Sequence, residues 1–112
     1  KPVFVKMPIN CCWKDFEGLL KVCIKHNMAG VVIGNLNKDH KHKSIEDEIP
    51  SNVKGGISGK PTWELSNALI KKTYRKYGNK LVIVGVGGVF TADDAYEKIK
   101  LGASLIQLIT GM

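Results

Sequence analysis

Short runs of consecutive apolar residues constrain the fold of this chain more than any other feature. Residues 30–34 and 81–84 contain no polar side chain. A strand that faces solvent on one side alternates apolar and polar residues, whereas a strand that is buried on both faces does not. Strands of the second kind are typical of parallel sheets covered by helices. The sequence therefore predicts an α/β fold.

The order of the predicted elements gives the same fold class. Strands are expected at residues 3–7, 30–34, 81–84 and 103–109, and helices at residues 13–27, 61–77 and 92–101. The resulting order β-α-β-loop-α-β-α-β favours about four parallel strands joined by right-handed crossover helices. A doubly wound sheet and a (β/α)8 TIM barrel both satisfy this order. Because a barrel needs about 250 residues, residues 1–112 would form about half of one, as a single incomplete domain.

The composition is that of an ordinary globular domain, with 112 residues, 44% of them hydrophobic and 24% charged. The net charge is +7, from 17 basic and 10 acidic residues. Such a chain could bind nucleic acid, an anionic membrane surface or an acidic small ligand. Because the basic residues are spread over helix faces and are not interleaved with stacking aromatics, we interpret them as solvated and expect no nucleic acid partner.

Two further classes of function have little support in the sequence. No apolar run reaches the roughly 18 residues of a membrane span, so any membrane contact is expected from a segment outside this chain. The three cysteines, Cys11, Cys12 and Cys23, form no C-x-x-C motif and leave an odd thiol, which indicates neither a disulfide framework nor a zinc site. No metal site is expected, and these thiols are interpreted as structural.

A glycine-rich turn joins the third predicted strand to the last predicted helix. It reads Gly-Val-Gly-Gly-Val-Phe at residues 85–90, and Thr91 follows as the expected N-cap, with Asp94 three residues later. Glycines allow positive φ and close approach of a ligand, and a helix N-terminus favours an anion. The dinucleotide fingerprint needs a third glycine where Phe90 stands. The turn therefore predicts a phosphate site.

Two polar residues lie where the strands end. Lys6 interrupts an apolar strand near its carboxyl end, and its charge must reach water, a partner or a ligand, because burial is costly. Asn35 directly follows the second strand. Residues 35–59 show no convincing period, and we interpret them as an active-site loop.

Three blocks of sequence resemble one known family. They are Gly-Gly-Ile-Ser-Gly-Lys-Pro at residues 55–61, Val-Gly-Val-Gly-Gly-Val at 84–89, and Gly-Ala-Ser-Leu-Ile-Gln-Leu-Ile-Thr-Gly at 102–111. In this order and spacing the chain resembles dihydroorotate dehydrogenase, and the first block resembles the class 2, quinone-linked members. The resemblance covers the whole chain and implies the C-terminal half of the catalytic barrel.

The resemblance implies an FMN-dependent enzyme that oxidises dihydroorotate to orotate in pyrimidine (UMP) biosynthesis and passes the electrons to a quinone. It also implies association with the bacterial cytoplasmic or mitochondrial inner membrane, through a segment outside this chain. The catalytic serine base of class 2 enzymes lies outside residues 1–112 too, so this chain alone is expected to be inactive. The implied FMN-binding residues are Lys6, Ser58, Gly59, Gly87, Gly88, Ile109 and Thr110, and the implied substrate-binding residues are Asn35 and Leu36.

The chain departs from the family pattern at a few of these positions. Gly34, Leu36 and Asn37 stand where threonines usually surround the asparagine, and Ile109 replaces an aromatic residue. The alternatives are another FMN-binding or phosphate-binding TIM barrel, such as a class 1 relative, and a basic nucleic-acid-binding module. Because half a barrel has two unpaired strand edges, self-association is also expected.

Overall fold

The computed structural model describes residues 1–34, 36–39 and 55–108. Four strands and three helices alternate along the chain: β1 (Phe4–Met7), α1 (Trp13–Lys25), β2 (Gly30–Ile33), α2 (Trp63–Tyr77), β3 (Val82–Val86), α3 (Ala92–Leu101) and β4 (Leu105–Gln107). A 3-10 turn at Lys60–Thr62 leads into α2. No described helix is long and apolar enough to cross a membrane.

The strands form one parallel sheet in the order β1-β2-β3-β4. Each strand therefore lies beside the strand that follows it in sequence. A barrel has this consecutive order, whereas a doubly wound sheet reverses its order at a switch point. The predicted α/β fold with about four parallel strands is confirmed.

All three helices lie against one face of the sheet. Phe16 and Leu20 of α1 and Ile70 of α2 share a buried core with Val31 and Ile83 of the sheet. Burial of each such side chain contributes about 1.5–3 kcal/mol. The alternate strand residues point to the other face, which we call the open face and which carries Phe4, Lys6, Val32, Val82, Val84, Leu105 and Gln107. Several of these are exposed, and in a complete barrel this face would line the packed interior.

The predicted start of α3 agrees with the structure. The backbone N–H of Asp94 donates to Thr91 Oγ1 at 3.1 Å, and the Asp94 carboxylate accepts from the backbone N–H groups of Phe90 and Thr91 at 3.0 and 3.1 Å. These hydrogen bonds, first that from Phe90, hold the pKa of Asp94 below its ordinary value. A complete capping box therefore fixes the direction in which α3 leaves the glycine turn.

Several element boundaries differ by one or two residues from the predicted ones, and two of these differences have a clear structural cause. The helix expected from Pro61 begins at Trp63, because Thr62 turns back and donates to the Gly59 carbonyl through both its backbone N–H and its Oγ1. The last strand begins at Leu105, because the backbone N–H of Ala103 donates to the Lys98 carbonyl and still closes the end of α3.

Candidate functional site

The sequence-predicted site residues that the structure describes lie at one edge of the sheet. Because β1 to β4 are parallel, their carboxyl ends meet at the same edge, which we call the carboxyl edge. Lys6 lies near it on β1, Leu36 follows β2, and Gly87 and Gly88 follow β3. Ligands of parallel α/β folds bind at this edge. Asn35, Ile109 and Thr110 lie outside the described residues.

The turn at residues 87–90, which we call the glycine turn, needs glycine for two reasons. Gly87 and Gly88 have φ values of 113° and 73°, which other residues rarely adopt. A Cβ at Gly87 would overlap Thr62 Oγ1, and one at Gly88 would lie 2.6 Å from Trp63 Cβ. The start of α2 thus packs directly against the turn. These glycines have a packing role whether or not they contact a ligand.

The capping box occupies several backbone N–H groups at the start of α3 that could otherwise bind an anion. The backbone N–H groups of Phe90, Thr91 and Asp94 are already paired within the box and are not free for an anion. An anion here would have to use other N–H groups, either in the turn before Phe90 or at the first helical residues after Thr91. Lys60 lies close enough to Asp94 to lower its pKa further, so an exposed ammonium group is near the turn.

The segment around Ser58 and Gly59 is held near the start of α2 and near the glycine turn. Gly59 is buried with φ 80°, and its carbonyl accepts from Thr62, the residue that abuts Gly87. Ser58 is exposed at the carboxyl edge. The structure therefore connects residues 58 and 59 to the glycine turn through one threonine, which the sequence did not single out.

Leu36 is held in place by its neighbour Asn37. Asn37 is fully buried, and its backbone pairs with Ile57 in both directions, at 2.8 and 2.6 Å. Its side-chain amide donates to the Pro61 carbonyl at 2.7 Å and accepts from Asn10 at 2.9 Å. Asn37 therefore joins the segments after β1 and β2 to the start of α2. It is a scaffold residue that sequence reasoning missed, and Leu36 remains half exposed beside it.

Gly34 also has a packing reason. A Cβ at this position would overlap Ile9 Cγ2, because the segment after β1 packs tightly over the end of β2. A threonine would not fit here without movement of Ile9. Glycine therefore replaces the usual threonine at a position where Ile9 fills the space that the threonine side chain would need.

Lys6 extends across the open face. Its Nζ lies 3.5 Å from Oε1 of Gln107, the last residue of β4. Both side chains are exposed. No carboxylate among the described residues forms an ion pair with the lysine. A cation held beside the carboxyl edge suits an anionic or electron-accepting ligand.

Two of the three cysteine thiols have raised pKa values. Burial, then the neighbouring Cys12 and Asp15, raises the pKa of Cys11, which disfavours the nucleophilic thiolate. Burial likewise raises the pKa of Cys23. Within residues 1–34, 36–39 and 55–108, no three His, Cys, Asp or Glu side chains cluster as metal ligands would.

The described residues at the carboxyl edge suit a ligand that carries a phosphate. The glycine turn and the nearby charge of Lys60 suit a phosphate, and Lys6 places a second cation near the same edge. The indole Nε1 of Trp63, which packs against Gly88, is buried and has no hydrogen-bond partner in the described part of the chain. An unpaired donor beside the turn favours a ligand that bears acceptors.

Comparisons with known proteins all point to one family. The family model for dihydroorotate dehydrogenase matches residues 1–112. Curated relatives called dihydroorotate dehydrogenase (quinone) include those of Acaryochloris marina, 38% identical, and Mycolicibacterium smegmatis, 36% identical; each match covers 99% of this chain and 31% of the relative. The chain thus spans about a third of the length of these relatives.

A solved structure shows the same fold. The crystal structure of DHODH from Eimeria tenella in complex with ferulenol matches 97% of this chain and 28% of its own, with a TM-score of 0.86 and 26% identity. The neighbours are TIM barrels, so the prediction of a partial barrel is confirmed and the doubly wound alternative is wrong. From the family match over its whole length, this chain belongs to the dihydroorotate dehydrogenase family.

Proposed function

We propose that residues 1–112 form the C-terminal half of the barrel of a quinone-linked dihydroorotate dehydrogenase, as a single incomplete domain. The observation that carries this proposal is the glycine turn, which lies at the carboxyl edge between β3 and α3. The curated relatives, whose names specify a quinone, support it over a class 1 relative. The enzyme would oxidise dihydroorotate to orotate.

The glycine turn would hold the phosphate of FMN. The N–H groups of residues 87–89 have no backbone partner in the described part of the chain, whereas those of Phe90, Thr91 and Asp94 are paired in the capping box. Ser58 and Gly59 would contact the flavin, because Thr62 joins them to the turn. Ile109 and Thr110 are proposed at the same phosphate from sequence alone. FMN, when bound, supplies the two-electron redox chemistry between substrate and quinone.

Lys6 would orient its ammonium toward the pyrimidine edge of the flavin ring. Its position on the open face supports this, since the side chain crosses the face instead of pairing with a carboxylate. A cation there favours negative charge on the ring. Asn35 and Leu36 would orient the substrate, the asparagine through donor and acceptor groups that match the amide edges of dihydroorotate.

The remaining parts of the reaction are proposed to lie elsewhere in the enzyme. The serine base and the membrane-associating segment would come from outside residues 1–112. This chain would then contribute flavin binding and substrate orientation. It would not perform proton abstraction, and it would show no turnover alone.

A chimera tests the proposal. Residues 1–112 would replace the matching 31% of the Acaryochloris marina relative, and we call the product the assembled barrel. We expect it to purify with FMN and to reduce a quinone analogue in the presence of dihydroorotate. A folded chimera, judged by circular dichroism and cooperative unfolding, that binds no flavin would contradict the proposal. The relative without the exchange is the positive control.

A further inference from the structure

Lys98 is a buried cation without a carboxylate partner in the described residues. It lies on α3 with none of its surface exposed, and its ammonium donates to Ser66 Oγ at 3.2 Å and to Asn67 Oδ1 at 2.6 Å, both on α2. Burial lowers its pKa to about 8, and Asp94 only partly opposes this. A buried charge held by neutral groups is costly. The contacts of its partner Ser66 show which parts of the sheet the lysine positions.

Ser66 carries the contact from Lys98 to the sheet. Its Oγ lies 3.0 Å from the carbonyl oxygen of Ile33 and 2.8 Å from that of Val86. The hydroxyl accepts from Lys98, so its single proton is left for these two carbonyls. Ile33 is the last residue of β2 and Val86 the last of β3. One buried hydroxyl thus bonds the carboxyl ends of both central strands.

Gly85 provides the space for this arrangement. A Cβ at Gly85 would lie 3.1 Å from Lys98 Cδ, 3.2 Å from Ile70 Cδ1 and 3.3 Å from Ala103 Cβ. The lysine stem therefore passes directly behind β3 at this glycine. Unlike Gly87 and Gly88, Gly85 has no positive φ. Its role in the glycine-rich block is to admit the lysine and not to bend the turn.

We propose that Lys98 is a positioning residue, which acts through Ser66 to fix the ends of β2 and β3 and so couples the phosphate-binding turn to the substrate-binding segment. Gly34 and Leu36 follow the first of these ends, and Gly87 follows the second. The inference rests on the proposed function for the identity of the two ligands. The structural coupling itself is independent of that function.

Hydrogen exchange on the ligand-free 112-residue chain tests the coupling. Lys98→Met keeps the approximate volume and removes the charge, and Ser66→Ala removes the hydroxyl. We expect each to raise amide exchange at residues 34–36 and 87–89 by about tenfold, with α1 unchanged. Lys100→Met lies on the same helix, but Lys100 is exposed and contacts only residues of α3 among the described ones, Glu97 at 3.5 Å and the Tyr96 ring, so it should leave exchange unchanged at both segments.

Two outcomes of the exchange experiment would overturn the inference. One is a uniform rise in exchange over all elements, which indicates loss of global stability alone. The other is unchanged exchange at both segments in folded Lys98→Met and Ser66→Ala. If Lys98→Met does not fold, Ser66→Ala decides, since it removes only one oxygen atom from the core.

The assembled barrel adds a readout with ligand. Lys98→Met and Ser66→Ala should each weaken FMN binding by about tenfold, and the double variant should be no weaker than either single variant, because both break one pathway. Additive effects, or unchanged dissociation constants in folded single variants, would contradict the coupling. If the unsubstituted barrel binds no FMN, the proposed function fails, and the exchange experiment still decides whether Lys98 positions the two segments.

Discussion

Lys6 Nζ and Gln107 Oε1 lie 3.5 Å apart, although the two residues are 101 positions apart in sequence and belong to the two outermost strands of the sheet. Three strand spacings amount to about 14 Å along the sheet. The two side chains bridge this distance from the same face. A sheet that curves toward the open face brings them together, as the wall of a barrel does.

The first prediction concerns the charge of Lys6. Lys6→Met in the assembled barrel should lower the flavin midpoint potential by on the order of 30 mV, which is about 1.4 kcal/mol for two electrons. The reason is that a nearby cation favours the more negative, reduced ring. Potentiometric titration measures the shift, with Lys71→Met on the exposed side of α2 as control. Equal potentials for Lys6→Met and the unsubstituted barrel would remove this role.

The second prediction separates folding from binding in the glycine turn. Gly88→Ala places a side chain at φ 73° and against Trp63, so it should destabilise the chain by about 1–3 kcal/mol. Gly18→Ala, in an open position within α1, should stabilise it by about 0.5–1 kcal/mol. Urea unfolding measures both changes. Equal stability of the two variants would contradict the described turn.

The conformation of Gly88 also makes this position unsuitable for a test of phosphate binding. A charged residue at position 88 would disturb the fold as well as repel a phosphate, so loss of flavin binding in Gly88→Asp has two causes. Phe90 is half exposed, has no positive φ and ends the same turn. It is the better position for a test charge.

The third prediction is a pH dependence at the contact between α1 and α2. The Glu17 carboxylate accepts from Lys76 Nζ at 2.6 Å and from the Tyr77 hydroxyl at 2.8 Å, and these hydrogen bonds, first that from Lys76, lower its pKa below the ordinary 4.5. A carboxylate with a lowered pKa contributes stability above pH 4.5 that is lost as pH falls through the folded value. The advantage over Glu17→Gln should therefore disappear in acid.

Thermal unfolding between pH 7 and pH 3 measures this difference. The melting temperature of the unsubstituted chain should exceed that of Glu17→Gln at pH 7, and the two should converge toward pH 3. Glu97→Gln is the control, because its contact with Lys100 is exposed and longer, at 3.5 Å. A constant difference at every pH would contradict the assignment.

Features that depend on residues close in sequence were predictable, whereas features that depend on distant residues were not. The capping box of Thr91 and Asp94 was predictable, because all its groups lie within five residues. The buried strands were predictable from their apolar runs. The roles of Asn37 and Lys98 were not, because each depends on partners 20 or more residues away that only the fold brings close. A lysine on an amphipathic helix is usually solvated, and nothing local marks Lys98 as buried.

The candidate site shows the same division. The glycine turn at Gly87 and Gly88 was recognised from local sequence, and the structure supplied its neighbours Thr62 and Trp63. Gln107 was missed as the partner of Lys6, since the two side chains approach each other only through the curvature of the sheet. Nonlocal geometry of this kind has no periodic signal in sequence.

The fourth prediction concerns self-association. Both edge strands, β1 and β4, have an unpaired side among the described residues, and the open face exposes Phe4, Val82 and Leu105. Such edges and apolar surface favour association, so the 112-residue chain should sediment as a dimer or larger species at micromolar concentration. Leu105→Lys should shift the distribution toward monomer.

Tyr96→Lys is the matched control for this experiment. Tyr96 is as exposed as Leu105, at 61% against 59%, but lies on α3 and not on the open face. It should leave the sedimentation profile unchanged. A monodisperse monomer in the unsubstituted chain would contradict the prediction of self-association.

The central claim is that the glycine turn holds the phosphate of FMN, and a comparison of FMN with riboflavin tests it most directly. The two ligands share the ring and the ribityl chain and differ in the phosphate. Calorimetric titration of the flavin-free assembled barrel should show tighter binding of FMN. Phe90→Glu should reduce that preference by about tenfold through repulsion, whereas Phe90→Gln should retain it. Equal affinity for FMN and riboflavin, or an unchanged preference in Phe90→Glu, would contradict the account.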